Sequence, residues 1–169
     1  MKLGGLQRRC KALIRKLEIP SPFDVHTLIQ SVAQRQGRPI QLMAIAMPAG
    51  SPCGLWISTA STDYIFYEKQ ASPLHQEHII VHELGHLLCG HVRLTDVNND
   101  ITRRLMPTLS PNMIERVLQR TYYNTPEEKE AEMIASLILQ GVHRSPSGLN
   151  QAVPEVDEAV RRVQRLLVD

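Results

Sequence analysis

Residues 82–91 read HELGHLLCGH and place two histidines, His82 and His86, four positions apart, with Glu83 directly after the first. Residues i and i+4 of an α-helix lie about 40° apart around the axis and about 6 Å apart along it, so both imidazoles can reach one metal ion. Glu83 lies about 100° round from His82, where its carboxylate can reach a water molecule at the metal. The pattern HExxH therefore predicts two metal ligands and a general base.

The apolar residues of the same segment favour this interpretation. They form one stripe along the predicted helix, roughly 180° from the histidine face, and the stripe consists of Ile80, Val81, Leu84, Leu87 and Leu88. We expect the stripe to anchor the helix on a core, with the histidine face directed toward a cleft. His78, one turn before His82, is expected to face solvent, and Cys89 is expected to be buried.

A catalytic zinc site usually has three protein ligands, so one more ligand is needed. The pattern HExxHxxGxxH would place a glycine at position 89 and a histidine at position 92, where this chain has Cys89 and Val92. His91 is one residue out of that register, which turns a helical side chain by about 100°. The spacing predicts that His91 is not the third ligand.

A glutamate from a second helix is the other solution, and residues 125–141, TPEEKEAEMIASLILQG, offer one. Glu128 and Glu132 stand four positions apart and share a face of this helix. The small side chains of Ala131 and Ala135 flank that face and would let the helix pack closely against the HELGH helix.

Helical geometry alone leaves the choice of glutamate open. Glu127 and Glu128 lie about equally far from the middle of the apolar stripe, at about 40–60°. Thr125 and Glu128 also fit a capping box, and glutamates in a first helical turn are ordinary partners of the helix dipole. Both glutamates therefore remain candidate ligands at this point.

The chain alternates in pattern from helical to extended and back to helical. Helices are predicted at 5–18, 21–37, 72–90, 110–122, 125–141 and 154–168, and strands at 39–47, 53–59 and 63–69. This order predicts an α+β fold, with a small antiparallel sheet of about three strands surrounded by helices. We divide the chain into a basic helical extension (1–20), a main domain (21–145) and a C-terminal helix packed on that domain (146–169).

Composition excludes several classes of protein. Apolar residues make up 43% and charged residues 21%, which is typical of a globular chain. The three cysteines show no CxxC spacing, which argues against a disulfide framework. No stretch approaches 18 apolar residues and no signal peptide is recognisable, so we expect a cytoplasmic protein without a membrane partner.

The positive charge is concentrated near the N-terminus. Residues 1–38 hold eight Lys or Arg and two acidic residues. A solvated helix face explains this charge more simply than a nucleic-acid site does. The stretch IPSPF at 19–23 is also too rich in proline for the tight turn of a helix-turn-helix, so direct DNA binding is not expected.

HELGHLLCGH followed by EEKEAEMIASLIL resembles the ImmA/IrrE family of bacterial metallopeptidases over roughly residues 24–141. The resemblance implies a zincin-like domain with one Zn²⁺ per chain, bound by His82, His86 and Glu128. It also implies that Glu83 is the catalytic glutamate and that Glu132 orients a zinc-bound histidine. The long segment between the two motifs, residues 92–127, departs from the family pattern, so the fit of a substrate is not carried over.

The resemblance further implies a zinc-dependent endopeptidase of narrow specificity. Its expected substrate is a helix-turn-helix repressor or antitoxin, in transcription regulation or a toxin–antitoxin system. Tyr122, Tyr123 and His143 flank the second helix and are candidate oxyanion donors. The alternatives are a zinc-binding regulatory partner of a transcription factor without peptidase activity, and a DNA-binding regulator that uses the basic N-terminal helices.

Overall fold

The computed structural model describes residues 3–47, 52–59, 61–91 and 125–143. In these ranges the elements are α1 (Leu3–Ile14), α2 (Val25–Gln36), β1 (Ile40–Ile45), β2 (Gly54–Ser58), β3 (Asp63–Glu68), α3 (Pro73–Cys89) and α4 (Thr125–His143). The predicted α+β class is confirmed. No helix in the described ranges combines the length and the apolar character that crossing a bilayer requires.

Helix α3, which carries the HELGH motif, begins and ends where the sequence predicts. The Ser72 hydroxyl accepts a hydrogen bond from the His75 amide, and Pro73 occupies the first turn, where its missing N–H costs nothing. Gly90 ends the helix in the left-handed region, at φ 68°. The amide of His91 then donates back to the carbonyl of His86, at 3.2 Å, which turns the chain toward the helix it has just left.

The other helices follow their end signals less uniformly. Asp24 caps α2, and Gly37 ends it at φ 63°, as predicted. Helix α1 ends at Ile14 rather than residue 18. Helix α4 continues past Gly141 to His143, so the stop predicted at Gly141 is wrong. A glycine inside a helix costs only about 1 kcal/mol relative to alanine, which packing against the rest of the fold can offset.

The sheet is mixed, so the prediction of an antiparallel sheet is wrong for one of its two strand pairs. The strand order is β1-β3-β2, with β3 in the centre. Strand β2 pairs antiparallel with β3 through a short turn, from Gly54 opposite Tyr67 to Ser58 opposite Asp63. Strand β1 pairs parallel with β3, because the chain crosses from β1 to the far edge and β3 then returns between the two.

A buried carboxylate holds the hairpin of β2 and β3 together. Asp63 is 3% exposed and accepts hydrogen bonds from the Trp56 indole N–H, at 3.0 Å, and from Arg38 Nε, at 2.5 Å. Arg38 also donates to Ser58 Oγ and to the carbonyl oxygen of Thr59. A buried carboxylate requires such partners, and they fix one end of the sheet next to the C-terminal end of α2.

One hydrophobic core joins the sheet to the four helices. Its most deeply buried members include Leu28, Ile65, Leu84, Ile134 and Ile138. The apolar stripe of α3 lies in this core: Ile80, Val81, Leu84 and Leu87 are buried and Leu88 is partly buried.

Helix α4 covers the other side of α3, where the two backbones nearly touch. A Cβ atom at Gly85 would lie 2.9 Å from the Ala131 carbonyl oxygen. Ala131 and Ala135 are fully buried, which confirms the close packing predicted from their small side chains. His86 is therefore fully buried rather than facing an open cleft.

The predicted helices at 110–122 and 154–168 lie outside the described residues, as does the whole C-terminal segment 146–169. Within the predicted N-terminal extension, Leu6 and Cys10 are buried in the common core, and α1 packs against α4. The division of the chain at residues 20 and 145 stays a prediction.

Candidate metal centre

Three side chains from α3 and α4 converge on one point. His82 Nε2 and His86 Nε2 lie 3.1 Å apart. The Glu128 carboxylate faces both: its Oε2 is 3.3 Å from His82 Nε2, and its Oε1 is 3.4 Å from His86 Nε2. Helix α3 supplies the histidines one turn apart, and the close approach of α4 at Gly85 brings the carboxylate within reach.

The spacing of these atoms matches a tetrahedral zinc site. Ligand atoms at 2.0–2.1 Å from a tetrahedral Zn²⁺ lie about 3.3–3.4 Å from one another. The three separations here are 3.1, 3.3 and 3.4 Å. Two imidazoles and a carboxylate are also a ligand set that catalytic zinc uses. The donors therefore fit a Zn²⁺ ion, and the three residues form one of the groups in the described chain able to hold a metal.

Glu128, and not its neighbour Glu127, belongs to this group. Among the described residues, Glu127 belongs to no group of side chains whose ligand atoms lie close enough together to hold one metal ion. Glu128 Oε1 is buried, and its contact with His86 lacks the geometry of a hydrogen bond, so this acceptor is left without a hydrogen-bond donor in the described part of the chain. A buried carboxylate oxygen in that position is costly by itself and is suited to a cation.

Glu132 lies behind His82, one turn after Glu128. Its Oε2 is 3.0 Å from His82 Nδ1 and 3.3 Å from His78 Nε2. A carboxylate at the far nitrogen of an imidazole fixes the ring and directs its other nitrogen forward, which is the role predicted for Glu132. His78 is thus engaged with α4 and 27% exposed, so the expectation that it faces solvent is wrong in part.

Charge in the centre is balanced between the two helices. Burial lowers the pKa of His82, but hydrogen bonds to Glu128 and Glu132 outweigh burial and raise it to about 10. Burial raises the pKa of Glu128, and its close contacts with His82 and His86 outweigh that effect and lower it to about 2. Burial likewise raises the pKa of Glu132, and its hydrogen bonds with His78 and His82 outweigh that effect and lower it. The carboxylates therefore favour a positive charge between them, which either a proton or a metal cation can supply.

Glu83 lies beside this centre and against the sheet. It is 3% exposed, and its negative charge contributes to the raised pKa of His82. A Cβ atom at Gly54, the first residue of β2, would come within 2.7 Å of Glu83 Oε1 and 2.6 Å of Ile79 Cγ2. Any larger residue at that position would force the side chains of Glu83 and Ile79 to shift.

His91 also lies at the centre, behind His86. Its Nδ1 is 2.9 Å from His86 Nδ1, and its Nε2 is 3.0 Å from Glu130 Oε2. His91 was excluded as the third ligand from the rotation per residue of a continuing helix, although the helix itself was predicted to end at Gly90. Because the helix ends at Gly90, residue 91 turns back onto His86 and the 100° rotation does not apply. The glycine just before His91 was the signal that could have revealed this.

The remaining predicted site residues are not placed. Tyr122 and Tyr123 lie outside the described residues, as does the side chain of His143, so their role as oxyanion donors stays a prediction. Cys89 is partly buried next to His91.

A scan against models of known protein families and a search of curated protein sequences both return no match for this chain.

Proposed function

We propose that this chain is a zinc-dependent endopeptidase of the ImmA/IrrE type, with a zincin-like fold, that hydrolyses a peptide bond in a regulatory protein. The observation that carries the proposal is the convergence of His82 Nε2, His86 Nε2 and the Glu128 carboxylate at 3.1–3.4 Å, with Glu83 beside them. We further propose a helix-turn-helix repressor or antitoxin as the substrate, on the resemblance of the two motifs alone.

The residues divide the chemistry between them. A bound Zn²⁺ would polarise the scissile carbonyl and make water a stronger nucleophile near neutral pH. Glu83 accepts the proton of the attacking water and later delivers it to the leaving nitrogen. Glu132 holds the His82 ring in position through Nδ1. Glu128 supplies the negative charge that leaves the centre with a net charge of about +1 when Zn²⁺ is bound.

The position of β2 supports binding of an extended substrate. It has one strand neighbour, β3, among the described residues, and Gly54 at its start packs against Glu83. A peptide added as a strand along β2 would pass beside the proposed general base. The main-chain bonds of such a strand bind without sequence preference, so specificity would come from side-chain contacts with the regulatory protein.

One observation favours a second candidate function. Glu83 is 3% exposed, so little of its surface is open to a substrate in this structure. A zinc-binding regulatory partner without peptidase activity needs no such access, because its metal would only fix α3 against α4. The two functions differ in whether the bound partner is cut.

The test uses wild-type chain and Glu83→Gln, each co-expressed with candidate helix-turn-helix regulators, with and without a chelator. We expect wild type to produce a defined fragment and Glu83→Gln to produce none while keeping its zinc, since an amide cannot accept the proton. A partner that binds wild type but stays intact would replace the peptidase by the regulatory partner. Equal cutting by both chains would reject the role of Glu83.

A further inference from the structure

Both histidines of the centre have a partner at the nitrogen that faces away from the proposed metal. For His82 the partner is the Glu132 carboxylate. For His86 it is another imidazole, since His86 Nδ1 lies 2.9 Å from His91 Nδ1. An imidazole can accept or donate at this nitrogen depending on its tautomer, so the position of its proton decides what it does for His86.

The protons of this contact can be assigned from the chain of bonds. A neutral imidazole carries one N–H. If His86 offers the lone pair of Nε2 to a metal, its proton is on Nδ1 and is donated to His91 Nδ1. His91 must then carry its own proton on Nε2. This N–H is donated to Glu130 Oε2, at 3.0 Å. Every polar atom along this path then has a matching partner.

We propose that His91 is a positioning residue for the metal centre: it accepts the Nδ1 proton of His86, is itself held by Glu130, and so directs His86 Nε2 at the metal. We call His86, His91 and Glu130 the His91 bridge. The inference rests on the proposed metal site at His82, His86 and Glu128. It assigns to the motif HELGHLLCGH a third functional histidine that is not a ligand.

The hydrogen bonds of the His91 bridge are buried, which strengthens them. His86 is fully buried, His91 is 8% exposed and Glu130 is 7% exposed, so water does not compete for these bonds. Arg9 of α1 forms an ion pair with Glu130 Oε1 at 3.1 Å and completes the charge balance. The side chain of Arg9 is 53% exposed, so we expect its contribution to be much smaller than that of His91.

A second metal ion is the competing explanation, because ligand atoms of Cys89, His91 and Glu130 lie within 4.8 Å of one another. A metal on His91 Nε2 would force the His91 proton onto Nδ1. His86 Nδ1 would then have to accept it while His86 Nε2 holds the first metal, which requires a fully deprotonated imidazole. The bridge avoids this state, so the tautomers favour hydrogen bonding over a second ion.

The test compares zinc affinities of the full chain in competition with a chromogenic chelator. His91→Asn keeps an acceptor near the position of Nδ1, whereas His91→Gln reaches further and keeps only the donor toward Glu130. We expect His91→Asn to bind zinc nearly as tightly as wild type, and His91→Gln and His91→Leu to bind roughly 10- to 100-fold more weakly. Cys89→Ala should bind one zinc per chain with wild-type affinity.

Equal zinc affinities for the three His91 variants would overturn the bridge, and so would a Cys89→Ala variant that loses one of two zinc ions. Should the variants fail to fold, ¹⁵N-histidine NMR of zinc-loaded wild type decides: the bridge requires protons on His86 Nδ1 and His91 Nε2, and the reverse placement rejects it. His82→Ala keeps the two proposals apart. If it binds zinc like wild type, the proposed metal site is wrong. If it loses zinc, the results for the His91 variants test only the proposed role of His91.

Discussion

Glu128 shows what a single residue contributes here and where sequence reasoning stops. Angles around α4 place Glu127 and Glu128 equally well, because both flank the apolar stripe. The contact that separates them is tertiary: Gly85 lets α4 approach α3 until Glu128 faces His82 and His86. A pattern within one helix carries no information about the rotation of that helix against another.

Replacing Glu128 by glutamine should therefore weaken zinc binding strongly, since an amide keeps the size of the side chain but removes the anionic ligand. Glu127→Gln, one position away, is the matched control and should bind zinc like wild type. The measurement is zinc affinity by chelator competition for the two variants side by side. If both variants match wild type, Glu128 is a helix cap and not a ligand.

The three cysteines should differ sharply in reactivity. Cys53 is exposed, whereas burial raises the pKa of Cys10 to about 11 and that of Cys89 to about 12. A raised pKa keeps a thiol protonated, and therefore unreactive, at neutral pH and still at pH 9. Brief treatment of native protein with iodoacetamide should modify Cys53 alone by mass spectrometry, and denatured protein should be modified at all three. Rapid native modification of Cys10 would contradict the buried position of α1.

At the scale of elements, the ends of α2 and α3 were predictable, whereas the C-terminal ends of α1 and α4 and the direction of β1 were not. Ser72, Pro73 and Gly90 act locally, so their sequence signals place α3 correctly. Whether β1 runs parallel or antiparallel to β3 depends on which strand lies between the two edges, and no residue of β1 encodes that. His91 is not part of the group formed by His82, His86 and Glu128, as predicted, but its contact with His86 was not predicted, because the helical rotation does not extend beyond the stop at Gly90.

The contact of α3 with α4 gives a prediction for the pair of helices. Gly85→Ala would place a methyl group 2.9 Å from the Ala131 carbonyl oxygen, which must push the helices apart and separate Glu128 from the histidines. We expect a loss of stability of about 1–3 kcal/mol, as for other overpacked sites, and weaker zinc binding. Chemical denaturation and zinc titration measure the two effects.

Gly141→Ala on α4 is the control for this substitution. A Cβ atom there meets nothing within 4 Å, and alanine is the better helix former, so stability should stay the same or rise by up to about 1 kcal/mol. If Gly85→Ala behaves like Gly141→Ala in both measurements, the close approach of the two helices is not what positions Glu128.

For the whole molecule, the proposed metal centre would link the last described helix to the middle of the chain. A ligand that binds only the folded state adds about 2.7 kcal/mol of stability at a free concentration 100 times its Kd. For a chain of 169 residues this corresponds to a rise in Tm of roughly 5–10 °C. Calorimetry should show this zinc-induced rise for wild type and not for His82→Ala. A variant with the same rise as wild type would place the stabilising zinc elsewhere.

The packing of α1 against α4 also has a consequence for how the protein is made. The Cys10 thiol meets the carbonyl of Glu130 across 120 positions of sequence, and Leu6 and Cys10 belong to the same core as α4. A ribosome delivers the first helix long before its partner. Until residues 125–143 emerge, the apolar face of α1 is not covered by α4. The contact between the two helices then forms late and at an entropic cost, because a long stretch of chain separates them. The nascent chain is thus exposed to misassociation or proteolysis until residues 125–143 have emerged, and the proposed metal site and the packing of α1 form in the same step.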